Sequence, residues 1–210
     1  MRLVILTNEL LKEELLAQGL RQDIEMIWVN SPLELLHHPG ADAYIDLLFN
    51  GEPERIRLLQ QASTNSIIVN DVTQVNELPS EFVLINGWTT FLKRNTIEAS
   101  CKEEKMQSRA EHILDTFNKK IEWMPVTPGF ITARVVAMII NEAYFSLAEQ
   151  VSTKKEIDIA MKMGTNYPYG PFEWSERIGL KNVYELLHTL SMSNSRYEPA
   201  ALLKKEVFAA

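Results

Sequence analysis

The stretch IEWMPVTPGFITARVVAMIINEAYFSLAEQ, residues 121–150, separates two parts of the chain that have different patterns. IEWMPV reads as a last β-strand, and the Pro-Gly pair of TPGF then interrupts regular structure. The residues after TPGF predict one long helix whose apolar side chains cover much more than one face. Such a helix is typical of the inside of a bundle or of a subunit contact. We therefore predict one domain over 1–124 and a second over 125–210.

The residues before this stretch alternate between strand and helix patterns. Strands that alternate with helices predict βαβ units and a mostly parallel sheet. The predicted strands are RLVILT, IEMIWVN, AYIDLLF, SIIVND and FVLING, and the predicted helices between them are NELLKEELLAQGL, SPLELLHH and EPERIRLLQQA. The N-terminal domain is therefore expected to be α/β, with a mostly parallel sheet that has helices on both faces.

Helical patterns fill the chain after TPGF, so the C-terminal domain is expected to be all-α. In STKKEIDIAMKMG, Ser152 or Thr153 is placed to cap the helix, and Glu156 lies at the capping-box distance from Thr153. Gly164 is the expected C-cap of this helix. KNVYELLHTLSM and PAALLKKEVFA predict two further helices.

The stretch YPYGPFEW, residues 167–174, combines two prolines, a glycine and four aromatic residues. Residues that precede proline are pushed towards extended conformations. We expect a stiff loop here, with Phe172 and Trp174 packed back on the helices.

Composition restricts the classes of function. A formal net charge of -7 over 210 residues argues against nucleic-acid binding and against an anionic membrane surface. No apolar run reaches the roughly 20 residues of a membrane span. The start MRLVILTNELLKEELLAQ reads as a strand rather than a secretory signal. Cys101 is the single cysteine, so neither an internal disulfide nor a cysteine metal site is expected, and the expected compartment is cytoplasmic.

Four spaced motifs in the C-terminal part carry a family resemblance. They are Pro128–Phe130, Asn141–Ala143, Asp158–Gly164 and Tyr167–Glu173. From Pro125 to its end, the chain resembles the C-terminal helical domain of the 3-hydroxyacyl-CoA dehydrogenases. The N-terminal half is similar to the nucleotide-binding domain of that family only in its alternating pattern.

The resemblance implies a Rossmann-type domain for NAD and a helical domain that forms a homodimer and helps to enclose an acyl-CoA. The implied reaction is the reversible oxidation of a 3-hydroxyacyl-CoA to a 3-ketoacyl-CoA. In the family, a histidine takes the hydroxyl proton and a glutamate orients that histidine. A serine and an asparagine assist at the substrate oxygen.

The first strand-to-helix turn departs from the family pattern. A dinucleotide site needs glycines there, so that the pyrophosphate can approach backbone N–H groups at the helix N-terminus. In the turn LTNELLK, Thr7, Glu9 and Lys12 stand where the glycines are expected. Asn30 stands in place of the acidic residue after the second strand. The sequence therefore disfavours NAD in the usual pose, and it predicts no metal site.

The catalytic pair also departs from the pattern. Aligning the family glutamate with Glu98 places Asn86 at the histidine position. Asparagine cannot act as a general base near neutral pH. The histidines of the chain lie elsewhere and are expected to be surface residues: His37, His38, His112 and His188.

The groups that assist at the substrate oxygen are altered as well. The family serine aligns with Val72, or with Thr73 after a shift of one residue. The family asparagine aligns with Ala133, whereas the neighbouring Arg134 is retained. Glu98 and Thr73 are therefore the candidate catalytic residues.

Three interpretations remain open. The lost side chains favour an inactive relative of the dehydrogenases with a binding or regulatory role. An active oxidoreductase with an altered site would use Asn86, Thr73 and Glu98 as a polar pocket. A purely structural protein would have its former cleft filled, and the bulky residues Trp88 and Phe91 are available to fill it.

Overall fold

The structure, a computed structural model, describes residues 1–21, 24–62, 66–74 and 77–209. The chain divides into two compact units, Met1–Phe130 and Ile131–Ala210. The first contains a mostly parallel sheet with helices and the second is helical, so the predicted fold class is confirmed. The predicted boundary after residue 124 lies just before this division. Within the described ranges, no helix has both the length and the apolar character needed to cross a bilayer.

Within the described residues, a seven-stranded sheet forms the centre of the first unit. In chain order its elements are β1 (Arg2–Leu6), α1 (Glu9–Leu16), β2 (Glu25–Val29), a 3₁₀ helix (Pro32–His37), β3 (Ala43–Asp46), α2 (Pro53–Ala62), β4 (Ser66–Asn70), β5 (Phe82–Ile85), β6 (Thr96–Cys101), α3 (Glu104–Asp115) and β7 (Lys120–Trp123). The strand order is β2-β1-β3-β4-β5-β6-β7, and neighbours are parallel except for the antiparallel pair of β5 and β6.

Strand β6 is absent from the sequence prediction. Its polar residues Thr96, Glu98 and Ser100 alternate with apolar ones, which is the pattern of a half-buried strand. That alternation is the signal by which the strand could have been found.

The core of the first unit lies on both faces of the sheet. One face packs against α1 and α3, and its buried cluster includes Leu3, Ile5, Ile45, Ile68, Val83, Leu11, Leu15, Ala110 and Leu114. Intervening strand residues such as Val4 and Leu6 are also fully buried. Because successive side chains of a strand point to opposite faces, the near-continuous apolar runs are explained by a sheet covered on both sides.

The second unit consists of helices joined by short turns. They are α4 (Thr132–Ala148), α5 (Lys154–Thr165), α6 (Pro171–Ile178), α7 (Leu180–Ser191), a 3₁₀ helix (Ser195–Tyr197) and α8 (Ala201–Ala209). The capping box of Thr153 and Glu156 at the start of α5 is confirmed. The predicted C-cap at Gly164 is wrong, because α5 continues to Thr165 and ends at Asn166 in the left-handed conformation, with φ 56°. Asparagine tolerates that conformation better than most residues.

The stretch YPYGPFEW is only half a loop, because α6 begins at Pro171. The Asp158 carboxylate on α5 caps this helix by accepting the N–H groups of Phe172 at 2.8 Å and Glu173 at 3.2 Å. A Cβ atom on Gly170 would overlap with the Asp158 side chain. Glu173 accepts the Gly170 N–H at 3.0 Å and pairs with Lys162. These residues of the two family motifs therefore join α5 to α6, which is a structural role.

The Asn-Glu-Ala run on α4 has a structural role too. The Asn141 side chain is buried, and its amide donates to the Glu198 carbonyl at 2.9 Å. Its oxygen accepts the Ala200 N–H at 2.8 Å. Both ends of the carboxamide are thus satisfied, and the segment before α8 is held against α4.

Candidate functional site

The topology of the sheet indicates where a ligand would bind. The chain passes from β1 to β2 on one side and then to β3 on the other side. In open α/β sheets, ligands bind outside the carboxyl ends of the strands at such a reversal. We call the residues that follow the C-terminal ends of β1 to β5 the carboxyl edge.

The turn after β1 is closed by its own side chains. Thr7 is buried, and its hydroxyl donates to the Asn8 carbonyl at 3.1 Å. The Asn8 side chain accepts the Leu11 N–H at 2.9 Å and so caps α1. Glu9 adds a negative charge to the first turn and pairs with Lys12 at 3.5 Å. The helix N-terminus that would receive a phosphate is therefore already capped and carries a carboxylate.

Asn8 is a residue that the sequence analysis missed. An asparagine directly before an apolar helical pattern is an N-cap signal, so the cap could have been predicted. Asn30, at the end of β2, is exposed.

The structure brings Asn86 and Glu98 together. Antiparallel pairing of β5 with β6 sets them opposite each other, and the Asn86 N–H donates to the Glu98 carbonyl at 3.0 Å. The Asn86 side-chain amide also donates to Glu98 Oε2 at 2.9 Å. Burial lowers the pKa of Arg94, and the nearby carboxylate of Glu98 partly offsets that shift. The buried Asn86 amide, the Glu98 carboxylate and the Arg94 guanidinium thus lie near one another where β5 ends.

The turn after β5 is held by two buried charged residues. Thr90 has φ 78°, which is unfavourable for a β-branched residue. Its N–H donates to both carboxylate oxygens of Glu14 on α1, at 2.7 and 2.8 Å. Lys119 donates to the carbonyls of Leu92 at 2.5 Å and Arg94 at 3.0 Å. Burial raises the pKa of Glu14 and lowers that of Lys119 to about 8.

The same turn carries the two bulky residues that the sequence analysis singled out. Trp88 and Phe91 are both buried. The Trp88 carbonyl accepts the N–H groups of Phe91 and Leu92, at 3.0 and 3.1 Å.

Thr73 takes part in a turn that follows β4. Its hydroxyl donates to Asp71 Oδ1 at 3.2 Å, and the same oxygen accepts the Gln74 N–H at 2.9 Å. Burial raises the pKa of Asp71. Val72, the alternative position for the family serine, is buried, and its carbonyl accepts the Gly129 N–H at 2.8 Å. Thr73 therefore serves a local turn.

Asn70 connects the ends of three neighbouring strands. Its amide donates to the Leu47 carbonyl after β3 at 3.2 Å, and its oxygen accepts the Gly87 N–H after β5 at 2.9 Å. This bridge fixes the backbone next to Asn86.

The remaining candidate positions are Ala133 and Arg134 on α4 and the four histidines. Ala133 on α4 is fully buried and has no polar group to offer. The Arg134 guanidinium lies 5.8 Å from the centre of the Tyr197 ring. Three of the histidines lie on helices, and His188 stacks on Tyr184 at 5.7 Å. Over the described ranges, no group of three or more His, Cys, Asp or Glu residues could hold a metal ion.

A cavity of about 270 Å³ adjoins the carboxyl edge where β2 and β3 end. Asn50, Glu52, Glu54 and Arg55 contribute polar groups to its lining. Arg55 Nε lies 3.4 Å from Oδ2 of the fully buried Asp46, which is an ion-pair distance rather than a good hydrogen bond.

The Asp46 carboxyl makes stability depend on pH. Burial raises its pKa from 3.8 to about 6, and Arg55 only partly offsets this. The folded state therefore holds the proton more tightly than the unfolded state, so the destabilisation by ionised Asp46 is relieved as pH falls through 6. The gain is at most about 3 kcal/mol. Urea unfolding from about pH 7 to pH 4 should show wild type gaining stability relative to Asp46→Asn. Parallel profiles would contradict this.

Comparison with known proteins gives the family context of this arrangement. Residues 129–210 match the model of the 3-hydroxyacyl-CoA dehydrogenase C-terminal domain. A probable 3-hydroxybutyryl-CoA dehydrogenase of Bacillus subtilis is 40% identical over 166 residues, which cover 70% of this chain and 53% of that protein. The 3-hydroxyadipyl-CoA dehydrogenase of Escherichia coli is 35% identical over 109 residues, which cover 51% of this chain and 23% of that protein.

The fold of the whole chain also has a solved counterpart. The crystal structure of M. tuberculosis FadB2 superposes with a TM-score of 0.77 at 13% identity, covering 99% of this chain and 93% of that one. At that identity the likeness shows the fold alone. The chain spans about half or less of the length of the two curated relatives.

Proposed function

Because the chain belongs to the 3-hydroxyacyl-CoA dehydrogenase family, we propose that it is a member that keeps the family scaffold without the family's hydride-transfer chemistry. Its remaining role is to bind a ligand or a partner.

The pair formed by Asn86 and Glu98 carries this proposal. By resemblance, Glu98 aligns with the orienting glutamate and Asn86 with the histidine. The Asn86 amide donates to Glu98 Oε2 at 2.9 Å, so a hydrogen bond between the two positions is retained. A carboxamide does not exchange protons near neutral pH, so Asn86 cannot take the hydroxyl proton of a substrate.

The turn after β1 supports the loss of NAD binding. A pyrophosphate would need the N-terminal N–H groups of α1, and Asn8 already accepts one of them. The Glu9 carboxylate at the same helix end would repel the phosphates. The buried Thr7 side chain occupies space that a glycine would leave open.

An acyl-CoA is the ligand class that we infer. The relatives in Bacillus subtilis and Escherichia coli are named for 3-hydroxybutyryl-CoA and 3-hydroxyadipyl-CoA. These names support a coenzyme A thioester as the ligand of this chain.

Isothermal titration tests both parts of the proposal. We expect heat on adding acetoacetyl-CoA and none on adding NAD or NADP. In a Thr7→Gly, Glu9→Gly double variant, NAD binding should improve, because space is opened and one negative charge is removed. If the wild-type protein bound NAD, the proposal that the chain has lost its cofactor site would be wrong. If no acyl-CoA gave a measurable heat of binding, the proposed acyl-CoA ligand would be wrong, and a purely structural protein would be favoured.

We further propose a homodimer through the helical unit. An apolar stripe runs along one side of α4. It consists of the N-cap residue Ile131 and, within the helix, Val135, Met138 and Phe145. Ile131, Val135 and Phe145 are 55%, 51% and 40% exposed, which is unusual for a row of large apolar side chains. A second copy of the same stripe would cover this surface.

Sedimentation at micromolar concentration checks the dimer. We expect a dimer for the wild-type protein and a monomer for Val135→Glu, Phe145→Glu, because each charge would be buried without a partner. Met192→Glu is the matched control, because Met192 is 80% exposed and lies outside the stripe. A wild-type monomer, or a variant that remains dimeric, would contradict the proposed interface.

A further inference from the structure

Two Asn-Gly dipeptides occur in the chain, Asn50-Gly51 and Asn86-Gly87. A backbone nitrogen can attack the side-chain carbonyl carbon of the asparagine before it. Glycine permits this approach best, because the absence of Cβ leaves its backbone unrestricted. The reacting groups are the same in both dipeptides, so the fold decides which one reacts.

We propose that Asn50 is a site of spontaneous deamidation in the native protein and that the fold protects Asn86 from the same reaction. This modification site does not depend on the proposed loss of dehydrogenase chemistry.

Asn50 is exposed, and among the described residues the backbone nitrogen that would attack it is not engaged elsewhere. Asn50 lies in the turn between β3 and α2, where Gly51 has φ 72°. The Asn50 side-chain oxygen accepts the Glu52 N–H at 3.2 Å, which polarises the carbonyl that is attacked. The Gly51 N–H makes no hydrogen bond to any residue in the described ranges. The attacking nitrogen is therefore not held by a competing bond.

Asn86 differs in each of these respects. It is only 2% exposed, and its amide is bonded to Glu98. The Gly87 N–H donates to Asn70 Oδ1 at 2.9 Å, so the attacking nitrogen already has a partner. A Cβ on Gly87 would lie 2.8 Å from Asn70 Cγ, which shows how closely the two residues pack. Reaction at Asn86 therefore requires local unfolding of the carboxyl edge.

The reaction exchanges an amide for a carboxylate with water as the only co-reactant. The Gly51 nitrogen loses its proton to solvent and bonds to Asn50 Cγ, and ammonia leaves with a proton from solvent. Water then opens the cyclic imide at either carbonyl, giving aspartate or isoaspartate. Because Asn50, Glu52 and Glu54 line one cavity with Arg55, the product adds a carboxylate to that lining. The cavity then becomes less favourable for an anion.

Peptide mapping by mass spectrometry tests the proposal. The full chain is incubated in warm, mildly alkaline buffer, once native and once in urea. In the native protein, conversion at Asn50 should be at least about tenfold faster than at Asn86, which corresponds to about 1.4 kcal/mol of opening. In urea the two rates should converge. Equal native rates, or a difference that persists in urea, would overturn the proposal.

Variants at Asn70 isolate the protecting bond. Asn70→Ala removes the acceptor for the Gly87 N–H and should speed conversion at Asn86, with Asn50 as the internal reference. Asn70→Asp keeps an acceptor and should preserve the protection. If Asn86 were still protected in a folded Asn70→Ala protein, the bond from the Gly87 N–H to Asn70 would not be the cause of the protection. The comparison of the native wild-type protein with the same protein in urea does not depend on whether this variant folds.

Discussion

Replacing Gly170 with alanine is expected to destabilise the helical unit by about 3 kcal/mol. The new Cβ would overlap with the Asp158 carboxylate, so that side chain must move. Both N–H groups that it accepts, from Phe172 and Glu173, would then lose their bonds to it. Thermal and urea unfolding followed by circular dichroism would measure the loss.

Gly164→Ala is the matched control for this prediction. Gly164 lies inside α5, and nothing lies within 4 Å of the position of an added Cβ. Alanine is favoured over glycine within a helix, so this variant should be more stable by about 0.5 kcal/mol. If Gly170→Ala were as harmless as Gly164→Ala, the close approach between α5 and α6 would not be a constraint on the fold.

Replacing Glu14 with alanine is expected to cost a similar amount, about 3 kcal/mol. The variant removes the two acceptors of the Thr90 N–H and leaves the buried Lys119 without its nearby opposite charge. Because Thr90 has φ 78°, the turn after β5 would also lose a bond that holds an unfavourable conformation. Unfolding in urea and hydrogen exchange at the Thr90 amide would detect both effects.

Two control variants, Glu13→Ala and Glu14→Gln, show whether the loss of stability in Glu14→Ala comes from the buried position, the negative charge or the hydrogen-bond acceptor. Glu13 is the exposed neighbour on α1, so its loss should change stability by less than about 0.5 kcal/mol. Glu14→Gln keeps one oxygen that can accept the Thr90 N–H. Its free energy of unfolding should therefore lie between those of Glu13→Ala and Glu14→Ala. Equal effects at Glu13 and Glu14 would show that the buried carboxylate does not hold the turn.

The fold was largely predictable because its signals are local. The apolar runs of the parallel strands, the helical spacing after TPGF and the capping box at Thr153 all act over a few residues. The end of α5 was misplaced because glycine and asparagine both suit a C-cap, and only tertiary contacts decide between them. The same limit applies to Gly170, whose constraint comes from Asp158 on another helix.

The candidate site was predictable only in part. The pairing of Asn86 with Glu98 follows once β5 and β6 are antiparallel, although β6 itself was not predicted. Glu14 gives no sequence signal, because its partner Thr90 lies 76 residues away. Long-range bonds of buried charges depend on the packed structure, and no periodic pattern reports them.

A hydride-transfer assay tests the central claim most directly. The protein is mixed with NADH and acetoacetyl-CoA, and the NADH absorbance is followed beside a protein-free blank. We predict no consumption of NADH above the blank. Asn86 offers no titratable ring, and Asn8 and Glu9 disfavour a phosphate at the N-terminus of α1. Consumption that proceeds with the wild-type protein and disappears in Glu98→Gln would contradict the claim.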